Sequence, residues 1–116
     1  MNLIGTDKLD IKNGKVYSHV LLLDDEIVGF SIHAYYSETN SAAIHYLGVK
    51  KEHRGKGFGK ILCNQAESFY KNLDTKFIYI EVVVGFELLI SYYEKMGFVM
   101  AKSEKLTLYR MEKVIN

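Results

Sequence analysis

Hydrophobic positions change their spacing twice along this chain. Val16 to Leu23 is apolar and β-branched, which predicts a strand. Asp24-Asp25-Glu26 interrupts it and reads as a hairpin turn. Ile27 to Tyr36 resumes an extended pattern, with Ile27, Val28, Phe30, Ile32 and Ala34 as its apolar members. Ser37 to Ser41 is polar and predicts the next turn, and Ala42 to Val49 a third strand. Three neighbouring strands with short connections predict an antiparallel meander. Lys50 to Gly59 is charged and glycine-rich, hence a loop. Beyond it Phe58, Ile61, Leu62, Gln65, Ala66 and Phe69 recur at helical intervals, which predicts a helix to about Asn72. Phe77 to Val84 is almost continuously apolar, as in a strand covered on both faces. Leu88, Leu89, Tyr92, Tyr93 and Met96 predict a second helix, with Gly97 as its stop. Phe98 to Ala101 and Leu106 to Met111 complete the series as strands. The expected class is α/β (α+β): a mixed, mostly antiparallel sheet flanked by helices, in one domain over residues 1–116.

Composition narrows the function classes. Apolar residues make up 48% of the 116 positions, enough to fill a core. The formal net charge of +1 excludes a strongly basic nucleic-acid arm and an acidic disordered segment. No apolar run reaches the roughly 18 residues of a membrane span. Met1 to Asp10 lacks a signal-peptide pattern, and the lone Cys63 has no internal disulfide partner. A cytoplasmic protein is expected, with no metal site, because the histidines are scattered.

One segment departs from this even background. Arg54-Gly55-Lys56-Gly57-Phe58-Gly59-Lys60 lies between a predicted strand and a predicted helix and holds three of the nine glycines. Lys50, Lys51, Arg54, Lys56 and Lys60 stand against Glu52, a net +4 in eleven residues. Glycine permits tight turns and close approach of backbone to a ligand. The first turn of a helix carries amides without internal partners, which suits a phosphate. A solvated basic turn would show the charge but has no need of the glycine spacing. A P-loop is disfavoured because Ile61, not Ser or Thr, follows Lys60. A dinucleotide fold is disfavoured because the loop follows a meander.

The run Leu47-Gly48-Val49-Lys50-Lys51-Glu52-His53-Arg54-Gly55-Lys56-Gly57-Phe58-Gly59-Lys60-Ile61-Leu62 resembles the coenzyme-binding motif of the Gcn5-related N-acetyltransferases, with Arg54, Gly57 and Gly59 at its signature positions. Ser91-Tyr92-Tyr93-Glu94-Lys95-Met96-Gly97-Phe98 resembles a second segment of that family, and Glu81-Val82 the acidic–apolar pair of the strand between them. The resemblance implies an acyl-CoA N-acyltransferase-like fold and acetyl-coenzyme A as cosubstrate. It also implies an amine acceptor, on a small molecule or exposed on a protein. It places the coenzyme where the parallel strands Ala42 to Val49 and Phe77 to Val84 splay apart. Backbone around Leu47, Gly48 and Val49 would then hold the pantetheine. Amides of Gly55, Lys56, Gly57, Phe58, Gly59 and Lys60 would wrap the diphosphate, with Arg54 and Lys56 adding charge. Phe86 stands where the family often has Asn, whose amide hydrogen bonds its side chain cannot make; it is expected among the coenzyme-binding residues, reshaping the cleft exit with Gly85.

Acyl transfer needs a neutral amine, a donor for the thioester oxygen and a partner for the leaving thiolate. By the resemblance Tyr93 is the general acid to the thiolate and Tyr92 is structural. For the amine's proton the candidates are Glu81, which interrupts an apolar run, and His45. Strict alternation would place His45 on one face with Ala43 and Leu47. His33 and water are further candidates, whereas His53 reads as a solvated neighbour of phosphate. Cys63 lies off the predicted helix stripe and carries no catalytic expectation. Only about fifteen residues precede the first strand, with Gly5, Asp7, Asp10, Asn13 and Gly14 arguing against a long helix. The acceptor wall that the family builds there is expected to be reduced, and a homodimer is one way to complete it. A non-catalytic acyl-coenzyme A-binding module of the same fold is the alternative reading. Nucleic-acid binding is the weakest, given the near-neutral charge.

Overall fold

In a computed structural model, residues 14–103 and 106–116 are described. Gly5, Asp7, Asp10 and Asn13, and with them the expected short front end, lie outside the described residues. The elements are β1 (Lys15–Leu23), β2 (Glu26–Tyr36), β3 (Ser41–Val49), a 3-10 turn (Lys51–His53), α1 (Phe58–Asn72), β4 (Phe77–Val83), α2 (Leu88–Glu94), β5 (Val99–Ala101) and β6 (Leu108–Val114). They follow the predicted order. The six strands form one sheet in the order β1-β2-β3-β4-β6-β5. Among the described strands, only β3 and β4 pair in parallel. Such a pair needs a crossover, and α1 supplies it. Asp24 and Asp25, with φ of 49° and 65°, make the tight β1–β2 turn, since Asp tolerates the left-handed region.

The core lies between one face of the sheet and both helices. Ala42, Ile44, Ile78, Ile80, Val82 and Met111 meet Cys63, Ala66 and Tyr70 from α1 and Tyr93, Met96 and Phe98 from the α2 region. The helix stripes sit about one residue from their predicted places. α1 buries Leu62, Cys63, Ala66 and Tyr70, while Ile61 is 46% exposed. In α2, Leu88 is 92% exposed and Tyr93 is buried. Periodicity fixes the angle between apolar positions. Which edge of a wide stripe is covered depends on how the helix lies on the sheet. Cys63 therefore belongs to the core. Removing a fully buried side chain such as Leu62 would cost about 2–5 kcal/mol.

Two irregularities shape the centre of the sheet. Along β2–β3, Ile32 faces Tyr46 while His33 faces Ile44, so His45 is an extra residue in the ladder. A bulge of this kind re-aims the side chains beyond it. Along β3–β4, parallel pairing runs from Ser41–Phe77 to Ile44–Ile80 and stops there. β3 continues to Val49 and β4 to Val83 without pairing to each other. The first residues past the last rung are His45 and Glu81.

Candidate active site

The loop after β3 is a series of turns ending at a helix. Lys51–His53 forms the 3-10 turn, and Arg54 Nε donates to the Val49 carbonyl at 3.0 Å. Gly55 and Gly57 take φ of 77° and 84°, a region that side chains other than glycine enter at a cost. Gly57 caps α1 in this conformation with no side-chain cap, and its carbonyl accepts from Ile61 N at 3.1 Å. No acidic residue occupies the first turn of α1. The loop and first turn thus offer glycine backbone, the positive end of the helix dipole and basic side chains together.

A cavity of about 350 Å³ opens against this turn. It is bounded by Leu47 and Val49 from β3, the loop from His53 to Lys60, and Tyr92 from α2. Of the sequence-derived coenzyme residues, Leu47, Val49, Arg54, Gly55, Gly57, Phe58, Gly59 and Lys60 meet there. Lys56 is exposed and lies outside the lining. Gly48 instead lines a neighbouring cavity of about 320 Å³ with Val28, Phe30, Lys50 and Arg54. Phe86 is not brought to the cavity. Gly85, at φ of 106°, turns the chain, and Phe86 is 60% exposed on the loop before α2.

Tyr92 was missed as a cavity residue. It is 38% exposed and borders the cavity, while Tyr93 is 7% exposed and sits in the core, their ring centroids 5.2 Å apart. A Cβ on Gly59 would lie 2.5 Å from Tyr92 Oη, so this glycine lets the phenol rest on the helix start. Helical spacing separates two adjacent tyrosines but does not say which one faces the cleft. Burial pushes the Tyr93 phenol well above its ordinary range, with the neighbouring Cys63 and Tyr92 adding to it. Burial likewise raises the Cys63 thiol to about 11, which keeps it protonated.

The candidate proton acceptors separate by face. His33 is fully buried on the α1 side. Its Nδ1 lies 2.5 Å from Tyr70 Oη and its Nε2 3.2 Å from His19 Nδ1. Burial, then the charges of His19 and His45, lower it to about 3, so it stays neutral. It serves the core. His45 does not share a face with Leu47, because the bulge resets the alternation: Leu47 turns to the Gly59 side, within 3.6 Å of a Cβ built there. His45 turns to the opposite face, where its Nε2 lies 2.8 Å from Tyr36 Oη. Tyr36 stacks on Tyr79 of β4 at 6.5 Å, and Arg110 of β6 covers Tyr79 at 3.8 Å. Glu81, opposite Arg110 across the β4–β6 ladder, belongs to this group, since its charge helps raise both Tyr36 and Tyr79. The splay therefore has a glycine turn on one side and a tyrosine–histidine–glutamate group on the other. Among the described residues, no helix is long and apolar enough to cross a membrane.

Known structures share this fold. The chain is 21% identical to a nourseothricin acetyltransferase, with a TM-score of 0.76, over 87% of this chain and 66% of that one. With the PaiA N-acetyltransferase from Thermoplasma acidophilum, solved in complex with coenzyme A, it shares 24% identity and a TM-score of 0.77, over 95% and 64%. With the ribosomal-protein-S18-alanine N-acetyltransferase from Escherichia coli the values are 16% and 0.76, over 90% and 71%. The chain thus spans about two thirds of the length of these structures. No curated protein sequence matches it. At these identities the neighbours establish the acyl-CoA N-acyltransferase fold. The sequence profile of the acetyltransferase (GNAT) family covers residues 5–98, from before the meander to the end of the tyrosine segment. With the glycine turn, the splayed strands and this match in agreement, the chain belongs to the GNAT acetyltransferase family.

Proposed function

We propose that the protein transfers the acetyl group of acetyl-coenzyme A to an amine by direct attack of the amine on the thioester. The observation that carries this is the cavity against the Gly55–Lys60 turn, beside the point where β3 and β4 part. An extended thioester with its diphosphate on the α1 amides would run along β3 past Val49 and Leu47 toward the gap. The carbonyl would then lie near His45 and Glu81, with the acceptor entering from their face of the sheet. Holding donor and acceptor in this geometry supplies much of the rate enhancement.

Each residue has a part in this reading. Amides of the turn bind the diphosphate, and Lys60 and Arg54 add charge at the rim. Tyr92 forms the wall at the helix start, and Tyr93 returns a proton to the departing thiolate. His45 and Glu81 serve the amine's proton. One neighbour is named for nourseothricin and another for an alanine of ribosomal protein S18, so the acceptor is assigned only as an amine, on a small molecule or on a protein.

Titration calorimetry with acetyl-coenzyme A tests the first half. Saturable binding is expected at micromolar concentration, of the order of common substrate affinities. A protein with no saturable binding below millimolar concentration would refute the reading.

A further inference from the structure

The group on the face away from the helices has a member that the acetyl-transfer reading leaves without a role. Tyr36 comes from the end of β2, yet its hydroxyl meets His45, the bulged residue of β3, at 2.8 Å. Its ring is held by stacking on Tyr79 at 6.5 Å, and Tyr79 is held in turn by Arg110. One phenol thus bridges β3 and β4 at the point where they part, meeting His45 one residue beyond the last paired rung and Tyr79 one residue before it.

We propose that Tyr36 and His45 form a proton relay that takes the proton from the attacking amine. The proposal rests on the acetyl-transfer reading and names how that site disposes of its proton. In the resting pair Tyr36 O–H donates to His45 Nε2, and the ring proton sits on Nδ1. As the amine nitrogen bonds to the acetyl carbonyl carbon, one N–H proton passes to Tyr36 Oη. The phenol's own proton passes to Nε2, giving an imidazolium. The C–S bond then breaks, and the thiolate takes its proton from the Tyr93 phenol on the helix side. The imidazolium releases its proton to water and the Tyr93 phenolate takes one from water, so both residues return to their resting states and atoms and charge balance without a further reactant.

The surroundings favour a coupled transfer. Burial, together with Tyr79 and the charge of Glu81, raises the Tyr36 phenol, so a free phenolate is disfavoured and the proton must leave as another arrives. Among the described residues, the charged and titratable groups around the pair include Tyr79 and Glu81 from β4, Arg110 from β6, and His33 and Tyr70 through the sheet. Arg110 Nε is engaged by Glu112 Oε2 at 2.7 Å.

Tyr36→Phe tests the relay because it keeps the ring that stacks on Tyr79 and removes only the hydroxyl. Acetyl transfer is measured with a lysine peptide, spermidine and an amino sugar as acceptors. With the best of these, kcat is expected to fall about 100-fold, a usual size for acid–base steps, while KM for acetyl-coenzyme A is unchanged. His45→Ala should cost about as much, and the double variant no more than either single one. Losses that multiply in the double variant, or wild-type kcat in Tyr36→Phe, would overturn the relay. A second measurement needs no acceptor: 15N NMR of labelled histidine should show His45 as the Nδ1–H tautomer in the wild type. An Nε2–H tautomer would overturn it too. A wild type that binds acetyl-coenzyme A but acetylates none of the three amines would count against acetyl transfer, and the tautomer would still show whether Tyr36 donates to His45 as the relay requires.

Discussion

Tyr92 and Tyr93 are adjacent in sequence and identical in chemistry, and the fold gives them different surroundings. The phenol of Tyr92 borders the cavity at the start of α1, where a bound donor would touch it. Tyr93 is packed among Cys63, Tyr92 and Phe98, where its proton is held tightly. The two phenylalanine variants should therefore separate. Tyr92→Phe is expected to weaken acetyl-coenzyme A binding a few-fold with little change in kcat, the loss of about one hydrogen bond. Tyr93→Phe is expected to lower kcat at saturating donor by about tenfold or more, with coenzyme affinity kept. Calorimetry and steady-state kinetics on both variants check this, and equal kcat in Tyr93→Phe removes it as the acid. The sequence could list both phenols. It could not say which one the helix turns inward, because that depends on what α2 packs against.

At the scale of elements, the β3–loop–α1 unit was the most legible part of the chain. Its signals are local: β-branched residues end at Val49, glycines take the left-handed turns, and an amphipathic helix begins at once. Gly57 is the sharpest case. At φ of 84° it has open space where a side chain would go, so substitution costs backbone strain rather than a clash. Gly57→Val is expected to lose about 1–2 kcal/mol of stability and to weaken acetyl-coenzyme A binding at least tenfold by shifting the α1 amides. Unchanged affinity in the folded variant would show that these amides do not hold the diphosphate. The bulge at His45 is the opposite case. Ala42 to Val49 reads as one uninterrupted strand in the sequence, and only pairing with β2 shows the extra residue that moves His45 and Leu47 to different faces.

For the whole molecule, the buried network beneath α1 links stability to pH. His33 joins Tyr70 and His19 inside the protein, and burial lowers its pKa to about 3 from 6.5. The unfolded chain therefore binds this proton between those values and the folded protein does not. Stability from this site is complete above about pH 6.5 and falls as the pH drops toward 3, by up to about 1.4 kcal/mol per unit. Burial shifts His19 in the same direction. Urea midpoints measured at pH 7.5 and pH 5 should show the loss, and His33→Gln should reduce it. A pH difference as large in His33→Gln as in the wild type would place the dependence elsewhere.

The sequence by itself determined the order of strands and helices, the glycine turn with its charge, and the family, because each is written in short-range spacing or in a contiguous motif. The tertiary structure alone decided the faces: which helix edge is buried, which tyrosine borders the cavity, that His33 belongs to the core, that Phe86 points to solvent, and that Tyr36 reaches His45. These depend on contacts between residues far apart in the chain. A single extra residue in one strand is enough to reverse such a face without altering the apolar pattern that predicted the strand.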